Sequence, residues 1–218
     1  GTAAAADFNA MQLGIYGQDE WSITNKFTLT AGLRIDVPFI TSDPKIDPSF
    51  NTTTLPALQA KYDIANDIEG GKAPDGQIMF SPRVGFSYDM NRDNRSVLRG
   101  GLGIFTSRIP FVWPGAMFNN NGLTLGYVGS APNGFIANVN EQYTNPQFTI
   151  PSGQVDLFTK NFKYPQVFRA NLAFDKALLS GWRFSIEGIF TKTLNNVVYT
   201  NVNSDPTVSL NCAGKDNR

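Results

Sequence analysis

Histidine is absent from the 218 residues and cysteine occurs once, at Cys212. Without imidazole, neither a Ser/His/Asp triad nor a histidine metal site can be assembled from this chain. A single thiol builds no internal disulfide and no zinc site, so the redox compartment stays open. Net charge is missing as well, because 18 Lys and Arg balance 18 Asp and Glu. That balance argues against nucleic acid as a partner, since phosphate binding usually needs a basic excess. No stretch approaches the roughly 20 apolar residues of a membrane helix. The opening GTAAAAD lacks the charged start and apolar middle of a secretory signal. Enzymatic chemistry and bound cofactors are therefore not expected. The adjacent carboxylates of Asp19 and Glu20 would point to opposite faces of a strand.

Phenylalanine and glycine are plentiful, at 17 and 20 residues, and they sit in a strict rhythm. Phe27, Leu29, Ala31, Leu33, Ile35, Val37 and Phe39 alternate with Thr28, Thr30, Gly32, Arg34 and Asp36. Period two marks a strand with unlike faces. Met11, Leu13, Ile15, Trp21 and Ile23 do the same opposite Gln12, Tyr16, Gln18, Glu20 and Ser22, and Thr24 to Lys26 supply a polar turn. Two further pairs follow, Ile78 to Met90 with Leu98 to Ser107, and Phe168 to Asp175 with Trp182 to Phe190. The reading is all-β, with strands near 11–23, 27–39, 78–90, 96–107, 164–176 and 182–199, in three antiparallel hairpins.

Turns within the hairpins take a few residues, whereas the segments near 41–77 and 108–163 are long and rich in Pro, Gly, Asn and Asp. Long loops without secondary structure are uncommon in compact domains and usually carry function. Short turns on one side and long loops on the other fit an outer-membrane barrel, with turns in the periplasm and loops outside. Twelve residues at about 3.3 Å, tilted about 40°, cross roughly 30 Å, and soluble strands run to about half that length. Arg34, Asp36, Arg83, Arg99, Arg169, Arg183 and Glu187 share the face opposite the apolar one, where a lumen would lie. On the lipid side a charge at mid-membrane would cost roughly 2 to 4 kcal/mol. Trp21 and Trp182 fall beside short turns, at the level of an interfacial aromatic belt. Asp19, Lys176 and Lys192 share apolar parity, and Pro82 lies within a strand. The lysines sit near strand ends, where a long stem can snorkel. Asp19 requires an interface position or a register irregularity. Alternation alone leaves a soluble β-sandwich binding module as a rival.

Three features invite a functional reading. GGLGIF, Gly100 to Phe105, lacks the Lys-Ser/Thr ending of a phosphate loop, and close backbone packing explains it better. Asp63, Asn66, Asp67, Glu69 and Asp75 offer oxygen ligands in one loop, without the spacing of an EF-hand. Phe111, Trp113, Phe118, Tyr127 and Phe135 stand among Asn, Gly and Pro in the second long loop. Such aromatics either stack on a carbohydrate, peptide or protein partner or pack the loop onto itself. The lumenal charges either guide a solute, bond to a plug or pair across strands, with pairing as the default.

LGIYGQDEWSITNKFTLTAGLRIDVP, FSPRVGFSYDMNRDNRSVLRGGLGIFTSRIP and FTKTLNNVVYTNVN resemble barrel segments of TonB-dependent outer-membrane receptors, above all the large Oar-like members of Bacteroidetes. The resemblance implies location in the outer membrane of a Gram-negative bacterium and contact with its lipid. It also implies a barrel of about 22 strands or more, an N-terminal plug, energy from the TonB complex and sometimes a surface lipoprotein. The implied activity is uptake of a large solute such as an oligosaccharide, a peptide or a chelated metal. A non-transporting structural or adhesive outer-membrane protein is the alternative. Six strands fall short of the roughly eight in the smallest closed barrel. The chain is thus expected to be part of a longer polypeptide.

Overall fold

The computed structural model describes residues 5–93, 95–124, 136–141 and 154–202. Tyr127, Phe135 and Cys212 lie outside these residues. Six strands form one antiparallel sheet in sequence order: β1 (Ala10–Ser22), β2 (Phe27–Ile40), β3 (Met79–Asp89), β4 (Ser96–Thr106), β5 (Gln166–Ala177) and β6 (Arg183–Asn195). The largest departure from the alternation is at β6, which stops at Asn195 rather than 199. A bulge between Gln166 and Val167 leaves Leu194 out of the pairing and breaks the rhythm just before that end.

Register carries the two-residue rhythm across every strand. Trp21, Leu29, Phe86, Gly100, Leu172 and Gly188 form one cross-strand row on the apolar face. Even in the interior strands this face stays open, with Leu33 44%, Val84 43%, Leu102 52% and Leu172 54% exposed. Among the described residues there is a single sheet, so nothing faces this surface as the second layer of a sandwich would. An apolar sheet face of this extent belongs against lipid. Strands of 11 to 14 residues, tilted about 40°, cross roughly 28 to 35 Å, enough for an apolar band about 25 Å tall.

Short turns are built from side-chain caps. The Thr24 hydroxyl accepts from Lys26 and Phe27 N–H, and the Asp89 carboxylate accepts from Asn91 and Arg92 N–H. Gly181, at φ 83°, closes the third hairpin, where Leu178 N–H donates to the Trp182 carbonyl. Adjacent turns are tied together as the Lys26 ammonium donates to the Met90 carbonyl at 2.7 Å.

Asp19 pairs with Ala31 in an unbroken β1–β2 register, so no irregularity excuses it; it sits three residues from the strand end, beside Trp21. Pro82 has a visible consequence. Pairing of β3 with β4 covers only Arg83 to Asp89 and ceases where the proline lacks its N–H. Beyond it, side chains take over: Ser81 and Thr106 hydroxyls bond at 2.9 Å, and the Gln166 amide donates to Thr106 and to the Phe80 carbonyl. The glycines of GGLGIF allow close strand approach. A Cβ at Gly100 would stand 2.8 Å from the Asn171 carbonyl oxygen, and one at Gly101 2.9 Å from that of Val84.

The long segments are not structureless, contrary to the sequence expectation. Residues 41–77 contain a π turn (Phe50–Thr54) leading into α1 (Leu55–Lys61), and the second segment contains α2 (Val112–Asn119). Phe50, Leu55 and Ile64 form a small core, joined by Leu58 and Tyr62 of the same segment. Val155 and Leu157 from the second segment, and Val202 from beyond β6, pack against it. Ile68 bridges to Thr159, and Asp75 N–H donates to the Lys160 carbonyl. Three loops thus fold together at one end of the sheet.

Candidate functional site

The face opposite the lipid side collects every charged residue the alternation assigned to a lumen. Arg34 grips Asp36 with two bonds, Nε to Oδ2 at 2.7 Å and Nη2 to Oδ1 at 2.8 Å, and the Gln12 amide donates to the same carboxylate at 2.9 Å. Asp36 is only 2% exposed, so these partners hold its charge where water cannot. Gly14 makes room for them, since a Cβ there would lie 2.8 Å from Arg34 Nη2. Arg99 donates to Asp175 at 2.7 Å, and the Ser185 hydroxyl donates to the other oxygen of that carboxylate. Glu187 accepts from the Asn171 amide at 2.8 Å, and Arg169 donates to the Thr191 hydroxyl at 3.3 Å. The Arg83 guanidinium lies 4.8 Å over the Phe105 ring. Arg183 takes the turn end of β6 on the same face. Pairing within β2 therefore absorbs Arg34 and pairing across β4 and β5 absorbs Arg99, while Arg83 and Arg169 pair with no carboxylate among the described residues.

The sheet leaves a groove along this face. One part, a cavity of about 410 Å³, is lined by Gln12, Tyr16, Arg34, Asp36, Arg83 and Arg108 among others. A second continues past Arg83 over Gly85 and Gly101 to Arg169 and Asn171. Arg108 and Phe105 were not picked out by the alternation as lumenal site residues. Phe105 shared parity with the lumenal arginines, and Arg108 follows β4 by two residues, so parity and proximity were the available signals.

The loop aromatics divide. Phe118 is not free: its ring stacks on Phe8 at 5.0 Å, which packs the loop onto the N-terminal segment. Phe111 meets the same Phe8 ring edge-on but stays 62% exposed, and Trp113 is 43% exposed. With Val112 they form an apolar rim at the start of α2. Trp21 stands on the apolar face beside the first turn, and Trp182 lies one residue before β6, beside the third.

Polar links fix the cap. Tyr199, beyond β6, donates its hydroxyl to Asp156, and Asn120 donates to the other oxygen of that carboxylate at 2.7 Å. Donation to Asp156 pushes the Tyr199 phenol up to about 12. Lys72 and Asp43 pair at 2.9 Å, and the ammonium holds the Asp43 carboxyl below its usual range. The acidic residues of Asp63 to Asp75 do not converge: among the described residues no three acidic side chains gather as metal ligands would.

Open apolar and wet polar faces on one sheet of long strands describe the wall of a membrane barrel. A family model for the outer membrane beta barrel domain matches residues 1–218. The chain belongs to that family. It is accordingly an outer-membrane protein of Gram-negative bacteria, whose apolar face contacts lipid. No curated protein and no solved structure matches it at the level searched. Family membership fixes wall and location, and a specific function has to be argued from the groove and the loop cap.

Proposed function

We propose that this domain forms part of the barrel of a TonB-dependent receptor that takes up a large solute. The observation that carries the reading is the lumenal face itself. Its glycine-floored groove and charged pairs leave the interior side unfilled, whereas small barrels pack theirs with side chains. A wide lumen suits a plug or a large solute. The open edges of β1 and β6, each bonded to one neighbour among the described residues, add support, because lipid does not tolerate unpaired strand edges. The three quoted segments that resemble TonB-dependent receptors supply the link to a plug and to the TonB complex. On this reading the folded cap captures an oligosaccharide, a peptide or a chelated metal, with Phe111 and Trp113 at its rim, and a surface lipoprotein is a fitting partner. No catalytic step is proposed.

The test is accumulation of labelled oligosaccharides, peptides and iron chelates by cells carrying the native polypeptide. Uptake that stops with a protonophore, and in cells lacking TonB, is the expected result. Uptake indifferent to both, or none from the whole panel, would overturn it. A second reading, a non-transporting barrel that displays an adhesive cap, draws on the exposed Phe111, Val112 and Trp113. Cell adhesion lost on Trp113→Ala, with uptake absent, would favour it.

A further inference from the structure

The lumenal charges are not spread evenly along the strands. Register places Gln18, Gly32, Arg83, Gly103, Arg169 and Thr191 in one cross-strand row. From this row toward the loops the face carries Arg34, Arg83, Arg108 and Arg169 against Asp36 alone. From it toward the turns, Glu20, Asp89, Asp175 and Glu187 stand against Arg99 and Arg183, with Lys26 and Arg95 at the same parity one residue outside β2 and β4. The face thus presents a cationic excess at the loop end of the lumen and near balance at the turn end.

Arg83 and Arg169 are the cations best placed to use that asymmetry. They flank Gly103, which contributes no side chain, so their Cα atoms stand about two strand spacings apart, on the order of 9.5 Å. The groove between them continues over Gly85 and Gly101, and none of its lining residues is acidic. Arg83 is held in place by its stack on Phe105. Among the described residues the Arg83 N–H groups donate to no protein acceptor, which leaves them for an oxyanion. Arg169 spends its Nε on a long bond to Thr191 and keeps its terminal donors. Two acids border the groove on its turn side, Glu187 held by the Asn171 amide and Glu20 by the Thr30 hydroxyl, which places a bound anion toward the loop side, between the two guanidinium groups.

We propose that the groove between Arg83 and Arg169 is an anion-binding site on the lumenal wall, which takes the carboxylate or phosphate groups of a passing polyanionic solute. As a statement of solute class it rests on the uptake reading above. Paired forks at this separation select a solute with two or more anionic groups over a neutral one. Arg34 with Asp36, and Arg108, extend positive potential toward the loops and would steer such a solute inward.

Calorimetric titration of the native polypeptide, purified in detergent, with citrate, inorganic pyrophosphate and a neutral maltooligosaccharide tests the site. Saturable binding of either anion, weakened by added salt, is expected, with no heat from the neutral sugar. The R83Q/R169Q double variant should weaken binding at least tenfold, R83K/R169K should restore part of it, and R183Q, on the same face at the turn end, should change it less than twofold. Retention of heat-modifiable mobility on unboiled gels identifies folded protein, and the single variants R83Q and R169Q carry the comparison where the double variant fails to fold. Wild-type affinity in R83Q/R169Q, or no anion binding by the wild type, would overturn the proposal. The two readings separate cleanly. Anion binding without energised uptake keeps the site and removes the transporter, whereas energised uptake of neutral solutes unaffected by R83Q/R169Q does the reverse.

Discussion

At the residue scale, burial decides which of the paired charges matter. Asp36 is 2% exposed and receives three bonds, whereas the side chain of Asp175 is 36% exposed. Asp36→Asn removes the charge that Arg34 and Gln12 are arranged around. With Arg34 itself 38% exposed, water compensates part of the loss, and the expected cost is about 1 to 2 kcal/mol. Asp175→Asn should cost distinctly less, and urea titration of the folded barrel in detergent compares the two. Tyr199 gives a pH signal outside the membrane. Its folded-state pKa of about 12 lies above the ordinary tyrosine value near 10. A raised pKa contributes stability that is complete below pH 10 and is lost as pH rises toward 12. Wild type and Tyr199→Phe should therefore differ in cap protection from protease below pH 10 and converge above it. Persistence of the difference at pH 12 would show that the phenol proton is not what Asp156 holds.

At the element scale, the two faces of a strand make opposite demands on one substitution. Leu102 lies mid-strand in β4 on the open apolar face, paired with Val84 and Ala170. Leu102→Arg should cost roughly 2 to 4 kcal/mol in a bilayer. Asn171→Arg, mid-strand in β5 on the groove side, should cost far less, because its head stays in water beside Glu187. Folding efficiency into lipid vesicles, read by unboiled gel mobility, distinguishes them, and equal penalties would mean the faces are assigned the wrong way round. These strands were legible in the sequence because lipid and lumen impose period two on every residue. The helices of the loops were less so. Leu55, Leu58 and Tyr62 do sit at helical spacing, but α1 is only seven residues long and its core is completed by Val155, Leu157 and Val202 from distant segments.

At the scale of the whole molecule, the cap has a core of its own and is expected to unfold independently of the wall. Phe50→Ala empties the centre of the cap core and should cost about 3 kcal/mol there. Cleavage within 154–158 by protease added to intact cells should rise, while the urea midpoint of the barrel stays put. A parallel fall in both would mean cap and sheet unfold as one unit. The sheet makes its own demand. With β1 and β6 each lacking a second neighbour among the described residues, residues 1–218 expressed alone should give no heat-modifiable monomer in vesicles. A compact, protease-resistant monomer would show that the edges find each other.

The sequence by itself determined the strands and their two faces, because each depends on alternation that neighbouring residues already display; that the apolar face stays open, as a lipid-facing wall must, was visible only in the fold. That Arg34 to Glu187 share the face opposite the apolar one also followed from parity. Tertiary structure alone decided which charges on different strands are spent on one another. Parity puts Arg34, Arg83, Arg99 and Arg169 on one face, and sequence spacing already sets Asp36 beside Arg34; only register brings Asp175 to Arg99 and leaves Arg83 and Arg169 without a carboxylate among the described residues. It also decided that Phe118 is packed while Phe111 and Trp113 stay exposed, and that three loops share one core. Contacts between residues many tens of positions apart leave no periodic trace in the chain, so only folding can select among them.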